Sequence, residues 1–174
     1  MSTLKVNAIT EVDGTSFPFP QGIKEADQWR VTSGFSGSTE PVTSNWERND
    51  TSFTLIGSGM SQSSGVFTFP STGIYLVQHQ GCFSYTSSTN FLSTRVSVTT
   101  DNGSSYNTRS YAYAYINNVQ DTTYTNCSGT LMLDVTDTSQ VKVRLLVPMN
   151  NSANVMGDSN AHFTGLTFLK LGET

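Results

Sequence analysis

Apolar and polar residues alternate with a period of two over much of the chain after Trp29. The clearest run is 141–147, where every second residue is Val or Leu and the charged residues Lys142 and Arg144 lie between them. Successive side chains of a β-strand point to opposite sides, so this alternation predicts strands with one buried face and one solvated face. Comparable runs predict strands at 53–55, 66–69, 92–99, 111–115 and 131–135.

The composition also favours an all-β chain. The sequence has 24 Ser and 25 Thr among 174 residues, only 13% charged residues and 11% aromatic residues. A helical bundle needs more charged residues, and a disordered chain has fewer aromatic ones. Turn-forming segments such as Asp101-Asn102-Gly103 separate the runs. Many strands joined by polar turns predict a two-sheet sandwich or a barrel, and we expect one helical turn at 24–29.

Residues 1–23 differ from the rest of the chain. Prolines alternate with phenylalanines in Phe17-Pro18-Phe19-Pro20, and proline is excluded from helix interiors and central strands. The segment is therefore expected to run extended and to dock its apolar side chains on another surface, as an anchoring arm before a domain at 24–174. A floppy terminus is the alternative. The candidate anchoring residues are Leu4, Val6, Ile9, Phe17 and Phe19.

Two segments, 74–77 and 163–171, have apolar residues on both faces. A strand of a sandwich needs only one apolar face, so something must cover the second. A subunit interface is the explanation we favour, and loops of the same chain are the alternative.

Charge and hydropathy patterns argue against nucleic-acid binding, a membrane span and a secretory signal. The formal net charge is −4 and the nine Lys and Arg residues are dispersed, so no basic cluster predicts nucleic-acid binding. No apolar run approaches the roughly 18 residues of a membrane span. The first residues do not resemble a secretory signal, so we expect synthesis in the cytosol.

Three segments resemble the tumour-necrosis-factor-like jelly roll, in particular its complement globular-head version. They are the run 66–75 with its phenylalanines and Pro70, the pair 128–133 and 140–143, and Phe163-Thr164-Gly165-Leu166-Thr167-Phe168 near the end. Their order and spacing agree over 28–171. The resemblance implies an antiparallel two-sheet jelly-roll sandwich. The chain departs from the family at Ser71-Thr72 and Thr138-Ser139 and has no collagen-like repeat, so a complement-type animal role is not implied.

Members of that family usually form compact trimers, so the resemblance implies a homotrimer. Which apolar face is core and which is subunit interface is left open. If His79 lay near the trimer axis, trimer stability would fall as the pH drops through the imidazole range. The candidate core or interface residues are Tyr75, Val77, His79, Phe163 and Phe168.

A second, shorter resemblance concerns the first 23 residues. Residues 2–9 with 17–23 are similar to the opening of virion proteins from marine tailed phages. This similarity implies a virion component that is released by lysis and that binds capsid or tail proteins through its arm.

The sequence contains no recognisable catalytic or metal-binding motif. His79 and His162 are its two histidines, and it has no Gly-x-Ser-x-Gly elbow or phosphate-binding loop. We therefore predict no enzymatic activity, no cofactor and no metal, and interpret His79 as a hydrogen-bonded packing residue. Cys82 and Cys127 are interpreted as small buried side chains, with a single disulfide as the alternative.

Polar segments at 86–90, 101–107 and 150–160 are predicted to be exposed loops. Their hydroxyl and amide groups suit hydrogen bonding to sugars, and tyrosine rings offer stacking surfaces. The candidate sugar-contact residues are Tyr85, Asn90 and Tyr106. An inert, wet surface is the alternative.

The leading interpretation is a non-enzymatic, trimeric phage structural protein: a tail fibre, spike or capsid decoration component located in the virion. The first alternative is a receptor- or glycan-binding head for host attachment. The second is a sandwich-fold enzyme acting on polysaccharides, which would need paired carboxylates in one cleft.

Overall fold

The computed structural model describes residues 22–119 and 121–174. Over these residues the backbone forms twelve β-strands, and no helix among them is long and apolar enough to cross a membrane. The strands are β1 (Ala26–Val31), β2 (Ser33–Ser36), β3 (Trp46–Arg48), β4 (Ser61–Ser63), β5 (Val66–Thr68), β6 (Gly73–Tyr85), β7 (Thr89–Thr99), β8 (Asn107–Ile116), β9 (Thr123–Val135), β10 (Lys142–Leu146), β11 (Asn154–Asp158) and β12 (Gly165–Gly172).

The strands form two antiparallel sheets. The seven-stranded sheet has the order β2-β11-β6-β12-β1-β3. One edge of the long strand β6 is shared by β12 and β11, which pair with different parts of it, and the other edge pairs along its whole length with β9. The five-stranded sheet has the order β4-β5-β10-β7-β8. Several neighbouring strands come from distant parts of the chain, such as β12 beside β1 and β10 beside β7, as in a Greek-key jelly roll. The predicted all-β, two-sheet jelly-roll sandwich is confirmed.

Alternation along β6 shows how the sequence builds the core. Its odd-numbered residues from Gly73 to Phe83 are buried between the sheets, and its even-numbered residues are half-buried on the outer side. A cluster of rings fills the centre, where Phe67 lies 4.9 Å from Trp46 and 5.6 Å from Trp29, measured between ring centres. Edge-to-face contacts of this kind add to the free energy gained by burying the rings.

Three local predictions are wrong. Residues 24–29 do not form a helical turn, because β1 begins at Ala26 and pairs with β12 and β3. Residues 53–55 lie outside the strands, and only the neighbouring Ile56 bridges to Ala26. The predicted loop at 150–160 contains β11, whose Val155 is buried opposite Phe83. In the first and third cases long-range strand pairing outweighs the local pattern, whereas residues 53–55 have no partner strand among the described residues.

Candidate functional site

The sandwich distinguishes the faces that the sequence analysis left open. Tyr75, Val77, His79 and Phe168 all point between the sheets and are at most 1% exposed. Phe163 is half-buried in the segment just before β12. These candidate residues therefore line the core or lie beside it, and the outer faces are built from their neighbours in sequence.

His79 connects the two sheets. Hydrogen bonds join its Nδ1 to Thr94 Oγ1 at 2.9 Å and its Nε2 to Ser110 Oγ at 2.8 Å, and both partners belong to the five-stranded sheet. Burial lowers the pKa of His79 to about 4, so the ring is neutral at physiological pH. His79 is 0% exposed and lies on the inner side of β6, between the two sheets.

Gly129 provides the space that His79 occupies. It lies directly opposite His79 on β9, and a Cβ at this position would be 2.5 Å from His79 Nε2 and 3.2 Å from Ser110 Oγ. The space beside the hydrogen-bonded ring therefore requires glycine on the facing strand.

Three apolar side chains lie side by side on the outer face of the seven-stranded sheet. Leu76 on β6 is paired with Met132 on β9 and with Leu169 on β12. Met132 is 59% exposed. We call Leu76, Met132 and Leu169 the apolar patch. Its polar neighbours on the same face, two residues along each strand, are Gln78, Thr130 and Thr167.

The two cysteines point to opposite sides of this sheet. Cys127 is paired with Gly81 and is buried on the inner side, whereas Cys82 lies on the outer side. Both are free thiols, and burial raises the pKa of each. Their orientation on adjacent strands does not suit a disulfide.

The outer face of the five-stranded sheet bears a row of exposed tyrosines. Tyr111, Tyr113 and Tyr115 are 51%, 60% and 69% exposed, and the rings of Tyr111 and Tyr113 are nearly parallel. The guanidinium carbon of Arg95 on β7 lies 5.2 Å from the ring centre of Tyr111 and 5.6 Å from that of Phe91. We call Phe91, Tyr111, Tyr113 and Tyr115 the aromatic platform.

The aromatic platform is not among the sites predicted from the sequence. A signal was present, because Ala112 and Ala114 alternate with the three tyrosines. A strand that places small residues on one face and large amphipathic rings on the other fits a crowded core on the alanine side and water on the tyrosine side.

The predicted sugar-contact residues do not come together. Asn90 lies with Tyr115 and Asn150 in a groove of about 600 Å³ at one end of the sandwich, and Tyr85 packs against the core near the same end. Tyr106 precedes β8 at the opposite end, where the guanidinium of Arg144 stacks 3.7 Å from its ring centre.

Nothing in the described part of the chain resembles a metal centre, since no group of three or more His, Cys, Asp or Glu residues lies close enough to hold an ion there. The five candidate anchoring residues lie outside the described residues. They are Leu4, Val6, Ile9, Phe17 and Phe19.

Comparison with known proteins identifies the fold. No protein-family model matches the chain, and no curated protein matches its sequence. Among solved structures, the Eiger TNF of S. frugiperda superposes with a TM-score of 0.66 at 14% identity, covering 86% of this chain and 93% of that one. Murine APRIL at pH 5.0 superposes with a TM-score of 0.62 at 19% identity, covering 85% of this chain and 100% of that one. The chain therefore has the tumour-necrosis-factor-like jelly-roll fold.

Proposed function

We propose that the chain is a non-enzymatic structural head that assembles as a homotrimer through the outer face of its seven-stranded sheet. The observation that supports this proposal is the apolar patch, where Met132 is 59% exposed beside Leu76 and Leu169. Exposed apolar side chains grouped on a regular sheet are typical of subunit interfaces. The TNF-like fold is consistent with a trimer.

The proposal includes a place in a phage particle. Residues 1–23 are the anchoring arm in this proposal, since their apolar and proline-rich sequence suits docking on a second protein. The jelly-roll head then projects from the capsid or tail as a fibre, spike or decoration component. Support for the virion comes from the sequence resemblance of the arm alone.

Asp27, the buried carboxylate among the described residues, is held in place by hydrogen bonds from its neighbours. Asp27 is 2% exposed, and its two oxygens accept five hydrogen bonds, from Trp29 Nε1, from Arg48 Nε and Nη2, and from the backbone N–H groups of Gln28 and Met60. A carboxylate with all its acceptor positions engaged has no free lone pair with which to take a proton from a substrate. Asp27 therefore serves the fold and is not available as the acid or base of a polysaccharide-acting enzyme.

Sedimentation equilibrium tests the trimer. The full chain is expected to sediment at three times its monomer mass of 18.9 kDa. Met132→Glu places a charge in the apolar patch and is expected to give monomers, because an unpaired charge in an interface is costly to desolvate. Asn107→Glu, an exposed change on the other sheet, serves as the matched control and should leave the trimer intact. A monomeric wild-type protein would contradict the proposal.

Removal of residues 1–23 tests the anchor separately. The shortened protein is expected to remain a trimer and to be lost from assembled particles. If it is still incorporated into virions, the arm is not the anchor, whatever the oligomeric state.

A further inference from the structure

The basic residues of the described chain divide into two groups. Four of them, on or beside the seven-stranded sheet, have a carboxylate partner within 4.0 Å. The other four lie on the five-stranded sheet and have no ion pair with any residue that the structure describes. The paired group is Lys24, Arg30, Arg48 and Lys170, and the second group is Arg95, Arg109, Lys142 and Arg144.

The five-stranded sheet also lacks acidic residues. Its strands β4, β5, β7, β8 and β10 contain no Asp or Glu. A protein with a net charge of −4 thus has one sheet whose side chains are only neutral or positive. Unpaired cations concentrated on one face raise the local concentration of anions there.

All four of these cations share the outer face with the aromatic platform, and Arg109 precedes Tyr111 by two residues on β8. Arg95 pairs with Tyr111 across β7 and β8, and Lys142 and Arg144 follow on β10, which borders β7 on its other edge. The cations and the rings therefore form one continuous surface.

The two guanidinium groups are held in place but keep free donors. Arg95 Nε donates to Ser93 Oγ at 3.3 Å and Arg144 Nε donates to Ser97 Oγ at 3.0 Å. The guanidinium carbon of Arg95 lies 5.2 Å from the ring centre of Tyr111, and that of Arg144 lies 3.7 Å from the ring centre of Tyr106, which is within the range of cation–π attraction. The terminal nitrogens of both groups make no hydrogen bond to the described residues. Planar, oriented guanidinium groups with free N–H donors suit bidentate contact with carboxylate or sulfate groups.

We propose that this face binds an acidic polysaccharide. Its sugar rings lie on Tyr111, Tyr113 and Tyr115, which are spaced about 7 Å apart along the strand. Its carboxylate or sulfate groups pair with Arg95 and Arg144. The proposal does not depend on the trimer, which would use the other sheet and would leave this face exposed.

The surface favours a polysaccharide over other partners. Aromatic residues and Arg are enriched at protein interfaces but Lys is depleted there, whereas this face adds Lys142 to its tyrosines and arginines. A nucleic acid carries one charge for every phosphate and binds through larger basic surfaces. Amphipathic rings beside hydroxyl groups suit the mixed apolar and polar faces of a sugar.

Binding of the full chain to defined polymers, followed by calorimetry, tests the proposal. The probes are polygalacturonate, dextran sulfate, neutral dextran and single-stranded DNA. We expect binding to at least one acidic polysaccharide, weakening as salt is added, and none to neutral dextran. No binding to either acidic polysaccharide would overturn the proposal. DNA binding at least as tight would assign the face to nucleic acid instead.

Four variants locate the binding face. Arg95→Met and Tyr113→Ser are each expected to weaken binding about tenfold or more, while Tyr113→Phe keeps the ring and should retain most of the affinity. Lys24→Met removes an exposed cation beside the other sheet and is the matched control. If Lys24→Met weakens binding as much as Arg95→Met, the attraction is general electrostatics and the proposed face is wrong. Thermal unfolding of each variant confirms that it is folded.

Discussion

The two sheets of this sandwich have similar inner faces and different outer faces. On the seven-stranded sheet, Arg30 is almost fully buried and pairs with Glu47 and Asp50, and an apolar patch lies around Leu76. On the five-stranded sheet, Arg95 has no carboxylate partner among the described residues and stacks on tyrosine rings. Cations therefore serve the fold on one sheet and remain available for binding on the other.

This difference explains how one domain can present two surfaces of different chemistry. The inner faces must be apolar in both sheets, because together they form one core. The outer faces have no such shared constraint, so each can suit its own partner. An apolar patch suits another copy of the chain, and a row of rings and free guanidinium groups suits an anionic ligand.

Substitution of paired and unpaired cations should show the largest contrast. Arg30→Met removes the partner of Glu47, Asn49 and Asp50 and is expected to lower the free energy of unfolding by about 3 kcal/mol. The matched change Arg109→Met, at an exposed position, should cost less than about 0.5 kcal/mol. Denaturant unfolding at one fixed protein concentration measures both. Equal losses would show that the two groups of cations do not differ in role.

The packing around the buried His79 ring should be sensitive to substitution of the residue that faces it on β9. Gly129→Ala places a methyl group 2.5 Å from His79 Nε2 and is expected to cost about 2 kcal/mol, because an added group in a packed interior forces its neighbours to move. Gly172→Ala, whose Cβ would meet no atom within 4 Å, is the control and should be nearly neutral. A stable Gly129→Ala variant would contradict the tight packing around His79.

Acidification should weaken the connection that His79 makes between the sheets. Burial lowers the pKa of His79 from 6.5 to about 4, so the unfolded chain binds more protons than the folded chain between these values. Stability is therefore complete above pH 6.5 and falls as the pH decreases. We expect a loss of about 1 kcal/mol from His79 between pH 8 and pH 6.

His162 contributes in the same direction, because burial and the nearby charge of Arg30 lower its pKa. The measurement is therefore the difference in pH dependence between wild type and His79→Gln. If the two unfolding free energies change equally with pH, His79 is not the source.

The smallest effects on stability are expected for two exposed residues, one on each outer face. Each substitution should weaken a different interaction. Met132→Ser and Tyr113→Ser change exposed residues on the two outer faces, and each should alter the free energy of unfolding of a protomer by no more than about 0.5 kcal/mol. Only Met132→Ser should weaken self-association, and only Tyr113→Ser should weaken polysaccharide binding. A variant that weakens both would mean that the two faces act as one surface.

Much of the fold was predictable because it depends on side-chain periodicity. The alternation at 92–99, 131–135 and 141–147 corresponds to β7, β9 and β10, since each strand must place one apolar face in the core. The short run 53–55 has the same alternation but no partner strand, and Asn154–Asp158 lacks a clear apolar pattern and is held by β2 and β6. Pairing between distant segments decided these cases.

The candidate sites were harder to predict than the fold. Tyr75, Val77 and Phe168 were identified as core or interface residues, but the sequence could not say which side of each strand faces the second sheet. The platform of Tyr111, Tyr113 and Tyr115 was missed because exposure depends on what covers a strand. Its connection to Arg95 and Arg144 arises from strands β8, β7 and β10 lying side by side.

The sequence by itself determined that this chain is an all-β sandwich, because a period of two and a hydroxyl-rich, weakly charged composition leave few other folds. Only the tertiary structure decided that the cations divide between a paired group and an unpaired one. The physical reason is that an ion pair or a stacked ring needs contacts within a few ångströms. Strand order, which brings residues 95, 111 and 144 together, creates those contacts between positions far apart in the chain.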